Sequence, residues 1–309
     1  MSNLKIALIG ECMIELQQRE TGLHKGFGGD TLNTAVYLAR LLQKEDITVS
    51  YVTALGQDSI SAEMLVDWQN EGVDTHLVQC LADKLPGLYM VETDAQCERR
   101  FLYWRNDSAA KYWLMQASDA LLDELVSYDA IYLSGISLAI LSDACRDKLF
   151  LVLERCRQLG GKILFDNNYR PALWQSQAQA AAVYQRFLAL THTALLTFDD
   201  EQAVFGDSDI AQCITRTQAV GVAEIVIKRG GQSCLVIGND GQHEVAAQAV
   251  ANVVDTNAAG DSFAAGFLSK RLLGADMVSA AQRGHQVAGV VIQHQGAIIA
   301  NAQIAALVD

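Results

Sequence analysis

The sequence predicts an α/β fold: a mostly parallel central sheet flanked by helices on both faces, plus a small antiparallel β appendage. Three observations carry this reading. Short apolar runs alternate with helical patterns along most of the 309 residues, as right-handed βαβ units do. One stretch, residues 73–105, breaks the alternation with strand-like runs and no helical pattern between them. Half of the residues are hydrophobic, enough to bury one large core. The whole chain, 1–309, therefore reads as a single domain carrying an insert.

Residues 4–9 form an apolar strand ending at Gly10, and 13–17 alternate as a second, more exposed strand. Gly26-Phe27-Gly28-Gly29-Asp30 breaks the chain. Asp30 or Thr31 then caps a helix with Leu32, Ala35, Val36, Ala39 and Leu42 on one face. Residues 49–55 read as a strand closed by Gly56, and 59–70 as a helix stopped near Gly72. In the appendage the strand-like runs are 76–81, 87–93 and 99–105. Beyond Asp107, helices are expected over 117–127, 142–159, 177–190, 199–204, 209–220, 260–273 and 277–293. Strands are expected over 130–133, 162–165, 194–197, 224–228 and 234–237. Strand order is not legible from such a pattern.

Composition narrows the function. The net charge is −13 and no run of Lys or Arg stands out, which argues against nucleic acid as a partner. An acidic protein that binds anions must focus its few cations at the site, so single arginines are informative. The seven cysteines (Cys12, Cys80, Cys97, Cys145, Cys156, Cys213, Cys234) are scattered, odd in number and without C-x-x-C spacing. They read as buried free thiols of a reducing compartment. The six histidines show no H-x-x-x-H, so a zinc site is not expected. The chain starts with a strand-like run rather than a signal peptide and has no 18-residue charge-free apolar stretch. A cytoplasmic protein without membrane contact is expected.

The stretch 254–267 carries the most chemistry. Asp255, Thr256 and Asn257 form turns and caps, and Ala258, Ala259 and Gly260 are small. Asp261 opens a helical pattern of Phe263, Phe267, Leu268 and Leu272. A loop running into a helix N-terminus presents free N–H groups and the positive dipole end to a phosphate. A carboxylate beside it can act as a base. The same pattern also serves as a plain capped helix start. It is neither a Walker A loop nor a G-x-G-x-x-G loop, which lowers the case for a dehydrogenase. Gly28-Gly29-Asp30-Thr31-Leu32-Asn33 is a second glycine-rich start of a helix, with Asp30 and Asn33 one turn apart. Asp166-Asn167-Asn168-Tyr169-Arg170-Pro171 follows a buried strand, and Tyr103-Trp104-Arg105-Asn106 ends the appendage. Arg105 and Arg170 are candidate forks for a carboxylate or phosphate. Lys228-Arg229-Gly230-Gly231 joins two strands as a hairpin turn. Asp199, Asp200 and Glu201 form an acidic helix start, and a carboxylate there could help to hold Mg²⁺ through water.

Together these stretches resemble the ribokinase-like (PfkB-type) carbohydrate kinases, from about residue 4 to 299. Residues 255–261 are similar to that family's D-T-x-G-A-G-D signature with Ala258 at its first glycine, and Gly28-Gly29 with Asn33 is similar to its N-terminal di-glycine signature. The resemblance implies a ribokinase-like fold with a lid from about 12–27 and 73–105. It implies transfer of the ATP γ-phosphoryl group to a hydroxyl of a keto-deoxy sugar acid, with ATP and Mg²⁺ as cofactors. Asp261 would be the base, and the N–H groups of Ala258, Ala259 and Gly260 the anion hole. Gly28, Gly29, Asp30, Asn33, Tyr89, Tyr103, Arg105 and Arg170 would bind the sugar acid. Asn168, Arg170, Thr197, Lys228, Gly230, Gly231, Ala258 and Gly260 would line the nucleotide side. Glu201 would help to hold Mg²⁺, and a monovalent cation such as K⁺ would sit beside Asp255. A homodimer through the lid edges is the further partner expected. Two departures stand out. The family's N-x-x-E motif has Phe198 in place of its Asn, and Ala258 keeps its N–H available on the expectation of negative φ. A neutral-sugar kinase of the same family, such as a fructokinase, and a non-catalytic sugar- or nucleotide-binding regulator are the competing readings.

Overall fold

The computed structural model describes residues 4–19, 22–93 and 99–308; Cys97 lies outside them. β1 (Leu4–Ile9) is followed by β2 (Met13–Arg19), β3 (Gly22–Gly28), α1 (Asp30–Leu41), β4 (Ile47–Val52), β5 (Ala54–Leu55) and α2 (Ser59–Asn70). Next come β6 (Gln79–Cys80), β7 (Leu88–Thr93), β8 (Arg99–Trp104), α3 (Trp113–Gln116), α4 (Asp119–Val126), β9 (Ala130–Ser134), α5 (Gly135–Ala139) and α6 (Asp143–Gln158). β10 (Lys162–Asp166), α7 (Gln177–Leu188), β11 (Thr193–Thr197), α8 (Phe198–Phe205) and α9 (Ile210–Ala219) continue the alternation. β12 (Glu224–Lys228), β13 (Cys234–Gly238), β14 (Gly241–Val245), α10 (Ala259–Leu272), α11 (Met277–Val291) and α12 (Asn301–Ile304) complete it.

The main sheet has eight strands in the order β14-β13-β12-β11-β10-β9-β1-β4. From β4 to β12 every pairing is parallel, and β13 and β14 add an antiparallel edge. Both faces are covered, which is why the strands read as continuous apolar runs. All five residues of β9 are buried. Its Ile131 and Leu133 enter one core with α4, α6, α7 and α9, while Ala130 and Tyr132 enter the other with α1, α2, α10 and α11, following the period of two. Strand order reverses at β1, whose successors in sequence lie on opposite sides of it. A crevice opens outside the strand ends at such a reversal. Among the described residues no helix is long and apolar enough to cross a membrane.

The insert differs from the expectation in three ways. The second sheet, in the order β3-β2-β7-β8, is mixed: β2–β3 and β7–β8 are antiparallel, but β2 and β7 run parallel. They belong to separate hairpins, and the long crossover through α1, β4 and α2 brings the second back alongside the first. The run 76–81 does not join this sheet. Its Gln79–Cys80 pairs parallel with β5 on the main body. Residues 22–28 form a strand that runs into the expected break at 26–30, since main-chain pairing with β2 outweighs the glycines' weak strand preference. Of the described cysteines, all are free and five are buried, but Cys80 is exposed.

Candidate active site

The loop 255–261 is tied down at both ends before α10 begins. Asp255 Oδ1 accepts from Asn257 N (2.9 Å) and Oδ2 from Gly296 N (2.9 Å). Ala258 is the N-cap of α10 at φ 58°, ψ 16°, the only non-glycine residue with positive φ among those described. This overturns the expectation of negative φ. A left-handed alanine costs about 1–2 kcal/mol from the contact of Cβ with the following carbonyl. The first turn of α10 holds it there: the Ala258 carbonyl accepts from Ser262 N (2.9 Å) and Ser262 Oγ (2.7 Å). The Ala259 N–H donates back to the Thr256 carbonyl (3.2 Å). Gly260 and Asp261 lie in the first helical turn, where no helical carbonyl lies one turn back, so their N–H groups can meet a ligand.

Asp261 lies in this turn, opposite α1. Asn33 Nδ2 donates to Asp261 Oδ2 (2.8 Å), and Thr34 Oγ1 donates to the Asp261 carbonyl (3.3 Å). Its surface is half-buried, but the carboxyl sits deep in the cleft. Burial, then the neighbouring charges of Asp30 and Asp166, push it up to about 7, while Asn33 and Lys228 oppose the shift. Lys228 Nζ donates to Asp166 Oδ2 (2.6 Å), and burial holds the Asp166 carboxyl above its ordinary value despite that partner. A Cβ at Gly260 would lie 3.7 Å from Lys228 Nζ, so the ammonium stands beside the helix start. Asn168 closes the ring: its N–H donates to Asp166 Oδ1 (3.2 Å) and its Nδ2 to Asp30 Oδ2 (2.6 Å). Asp30, Asn33, Asp166, Asn168, Lys228 and Asp261 are thus gathered from α1, β10, β12 and α10.

The small sheet supplies the opposite wall. Gly28 and Gly29 are glycines for close approach. A Cβ on Gly28 would lie 2.3 Å from Tyr89 Oη, and one on Gly29 would lie 2.1 Å from the Glu11 carbonyl. The Tyr89 hydroxyl donates to Glu15, and burial with that carboxylate beside it pushes the phenol far up. Tyr89, Phe101 and Tyr103 form a ladder of rings with centroids 6.0–6.3 Å apart. Arg105 is not free: its Nη2 donates to Glu11 in a nearly buried ion pair. Glu11 Oε1 and Arg105 Nε are both buried with no protein partner. Arg170 is exposed, with Nη1 donating to its neighbour's carbonyl at Tyr169 (2.9 Å). A cavity of about 570 Å³ lies between this sheet, α1, α2 and residues 255–257 and 295–298; Glu15, Phe101, Leu32 and Asn257 line it, but Asp261 does not.

At the far end of the cleft stand Thr197 and the exposed Gly230 and Gly231. Gly230 has φ +61° in the β12–β13 turn. Glu201 is fully buried rather than open to a ligand, and both its oxygens are engaged, by Asn167 Nδ2 (2.9 Å) and Arg216 Nη2. Sequence reasoning missed Glu11, Glu15 and Arg216 and gave Asp166 and Asn167, quoted within their strand-end stretch, no role. The signal for Glu11, Asp166 and Asn167 was their place, polar residues at or just past the ends of apolar parallel strands. Arg216 left no signal, since it lies within an ordinary amphipathic helix.

A model of the pfkB family carbohydrate kinases matches residues 3–304. The 2-dehydro-3-deoxygluconokinase of Dickeya dadantii (strain 3937) is 54% identical over 303 residues, covering 97% of this chain and 98% of that protein. The enzyme of the same name from Escherichia coli (strain K12) is 53% identical over 299 residues, covering 96% and 97%. In fold, the chain resembles a fructokinase of Xylella fastidiosa solved with bound ATP, at a TM-score of 0.84 and 21% identity over 99% of this chain and 98% of that one.

Proposed function

The chain belongs to the pfkB family of carbohydrate kinases, and from that premise we propose how its cleft works as a 2-dehydro-3-deoxygluconokinase. The reaction moves the γ-phosphoryl group of ATP to the 6-hydroxyl of 2-dehydro-3-deoxygluconate, giving the 6-phosphate and ADP. Full-length relatives that carry this activity in their names, at 53–54% identity, support it. The carrying observation in the structure is Asp261 beside the start of α10, with Asn33 fixing its carboxylate and Lys228 at its flank.

Asp261 takes the proton from the attacking hydroxyl as the oxygen–phosphorus bond forms. A base with pKa near 7 is poised for this at neutral pH. The N–H groups of Gly260 and Asp261, with the helix dipole, face the charge that builds on the transferring group; one such donor contributes about 3–4 kcal/mol. Among the expected anion-hole donors, the Ala259 N–H is already turned to Thr256 and Ala258 acts through its strained cap. Phosphoryl transfer otherwise needs alignment. Gly28, Gly29, Asp30, Asn33, Tyr89 and Tyr103 hold the sugar acid. Arg105 and Arg170 meet its carboxylate through charge-assisted hydrogen bonds that a neutral sugar does not make. Asn168, Thr197, Lys228, Gly230 and Gly231 line the nucleotide.

Kinases of this family use ATP with Mg²⁺. Glu201 does not fit as a holder of that ion, because both oxygens already accept from protein donors. A monovalent cation beside Asp255 and a dimer through the lid edges β3 and β8 belong to the same reading. Asp255's visible work is to join the 257 and 296 turns. The test is ADP release under saturating ATP with 2-dehydro-3-deoxygluconate, fructose and ribose offered separately. The keto-deoxy acid should exceed the neutral sugars in kcat/KM by at least about 10²-fold; equal or reversed rates would refute the assignment.

A further inference from the structure

We propose that Glu201 is a positioning residue for the nucleotide half of the cleft, acting through Asn167, with Arg216 as its counter-ion, and that it does not serve Mg²⁺. Asn167 is fully buried at the end of β10 and ties that strand end to its neighbour. Its Oδ1 accepts from Thr197 N (2.9 Å) and Asn168 N (3.0 Å), and its Nδ2 donates to the Thr197 carbonyl (2.9 Å). Its last side-chain hydrogen goes to Glu201 Oε1 (2.9 Å). Every donor and acceptor of that amide is therefore used, and the amide cannot flip without losing bonds. Asn168, the next residue, holds Asp30. A path of hydrogen bonds thus runs from α8 through Asn167 to Asn168 and Thr197 on the nucleotide side of the cleft.

The rest of the acidic start of α8 works in the same direction. Asp200 Oδ2 accepts from the Tyr169 N–H (3.1 Å), so two successive carboxylates grip the 167–169 loop. On the other flank, Arg216 Nη2 donates to both Glu201 and Asp207, and Asp207 is itself buried. Glu201, Asp207 and Cys213 lie close enough to hold an ion, but the guanidinium stands between the two carboxylates. Removing either partner of such a pair leaves a buried charge unmatched. The arrangement also accounts for Phe198. The amide that the local motif lacks is supplied from β10 by Asn167, so the helix start can spend Phe198 on the apolar core.

The inference rests on the nucleotide lying against Asn168 and Thr197. It is tested by a double-mutant cycle of Glu201→Gln and Asn167→Ala in the full-length enzyme, with KM for ATP, KM for the sugar acid, kcat and the midpoint for Mg²⁺ activation at saturating ATP. Each single variant should raise KM for ATP about tenfold or more, with the sugar-acid KM changed less than about twofold. The double variant should be no worse than the worse single, since both act through one path. The Mg²⁺ midpoint should not move. Additive effects, or a Mg²⁺ midpoint shifted by Glu201→Gln alone, would overturn the proposal. A change in the sugar-acid KM in place of the ATP KM would overturn it at its premise, the placement of the nucleotide. Should Asn167→Ala fail to fold, Arg216→Lys replaces it in the cycle. It keeps the charge and loses the fork, and the same pattern is required of it.

Discussion

The two walls of the cleft are built on different physical terms. On the main sheet, polar side chains hold one another: Lys228 on Asp166, Asn168 on Asp166 and Asp30, Asn33 on Asp261. Asp166, Asn168 and Lys228 stand at or just past the ends of largely buried strands, and Asp30, Asn33 and Asp261 in the first turns of helices, so their backbones have little freedom. On the small sheet the wall is a ladder of aromatic rings, two of them, Phe101 and Tyr103, 40% and 54% exposed, above one ion pair with unmatched atoms. The difference teaches a division of labour. Phosphoryl transfer gains from fixed charges on a rigid frame, whereas a sugar acid must be admitted and released. In the function we propose, the lid's unmet hydrogen-bonding capacity at Glu11 and Arg105 is left for that ligand.

Breaking the rigid wall at its reacting group should have the largest effect. Asp261→Asn should lower kcat by about 10²–10⁴-fold with KM for both substrates little changed; wild-type turnover would remove Asp261 as the base. The same change should raise Tm at pH 8. A carboxyl lifted from its ordinary value to about 7 makes the fold lose stability as pH rises toward 7, and Asn carries no such penalty. On the compliant wall, Arg105→Ala should destabilise the fold by about 3–5 kcal/mol, because it strands Glu11 as an unmatched buried charge. Thermal unfolding of Arg105→Ala beside Glu11→Gln/Arg105→Gln separates the two roles. The pair variant should regain stability but not affinity for the sugar acid, and recovery of both would deny Arg105 a part in binding. The smallest effect is expected at the cap of α10. Ala258→Gly should raise stability by up to about 1 kcal/mol through relief of the left-handed strain. A drop in denaturation midpoint would mean that the alanine methyl contributes more than the strain removes.

Legibility followed the same divide. The parallel sheet was readable because βαβ alternation and buried apolar runs are local signals, and the loops at its strand ends carried the site residues. Asp30, Asn33, Asn168, Lys228 and Asp261 do converge. The lid was readable as an interruption but not as a topology. The parallel pairing of β2 with β7 joins segments separated by more than 60 positions, and nothing in either strand names its partner. Glu201 was readable as an acid at a helix start. That its oxygens face Asn167 and Arg216 depends on the packing of α8 against α9 and β10, which no spacing encodes. The sign of φ at Ala258 was misjudged because alanine disfavours the left-handed region. The tie of Asp255 to Gly296 comes from a segment 41 residues away.

The central claim is that Asp261 works as a base tuned by the acids around it, and the acidic limb of kcat/KM tests it most directly. The carboxylate must be ionised to accept the proton, so the rate should fall about tenfold per pH unit below a midpoint near 7 and level off above it. Asp30 is the largest charged neighbour raising that value, so Asp30→Asn should move the limb to lower pH, a shift that ionisation of ATP itself would not produce. A limb that moves in this way supports the account. A rate flat down to the ordinary carboxylate range, or a limb that stays in place when Asp30 loses its charge, would contradict it.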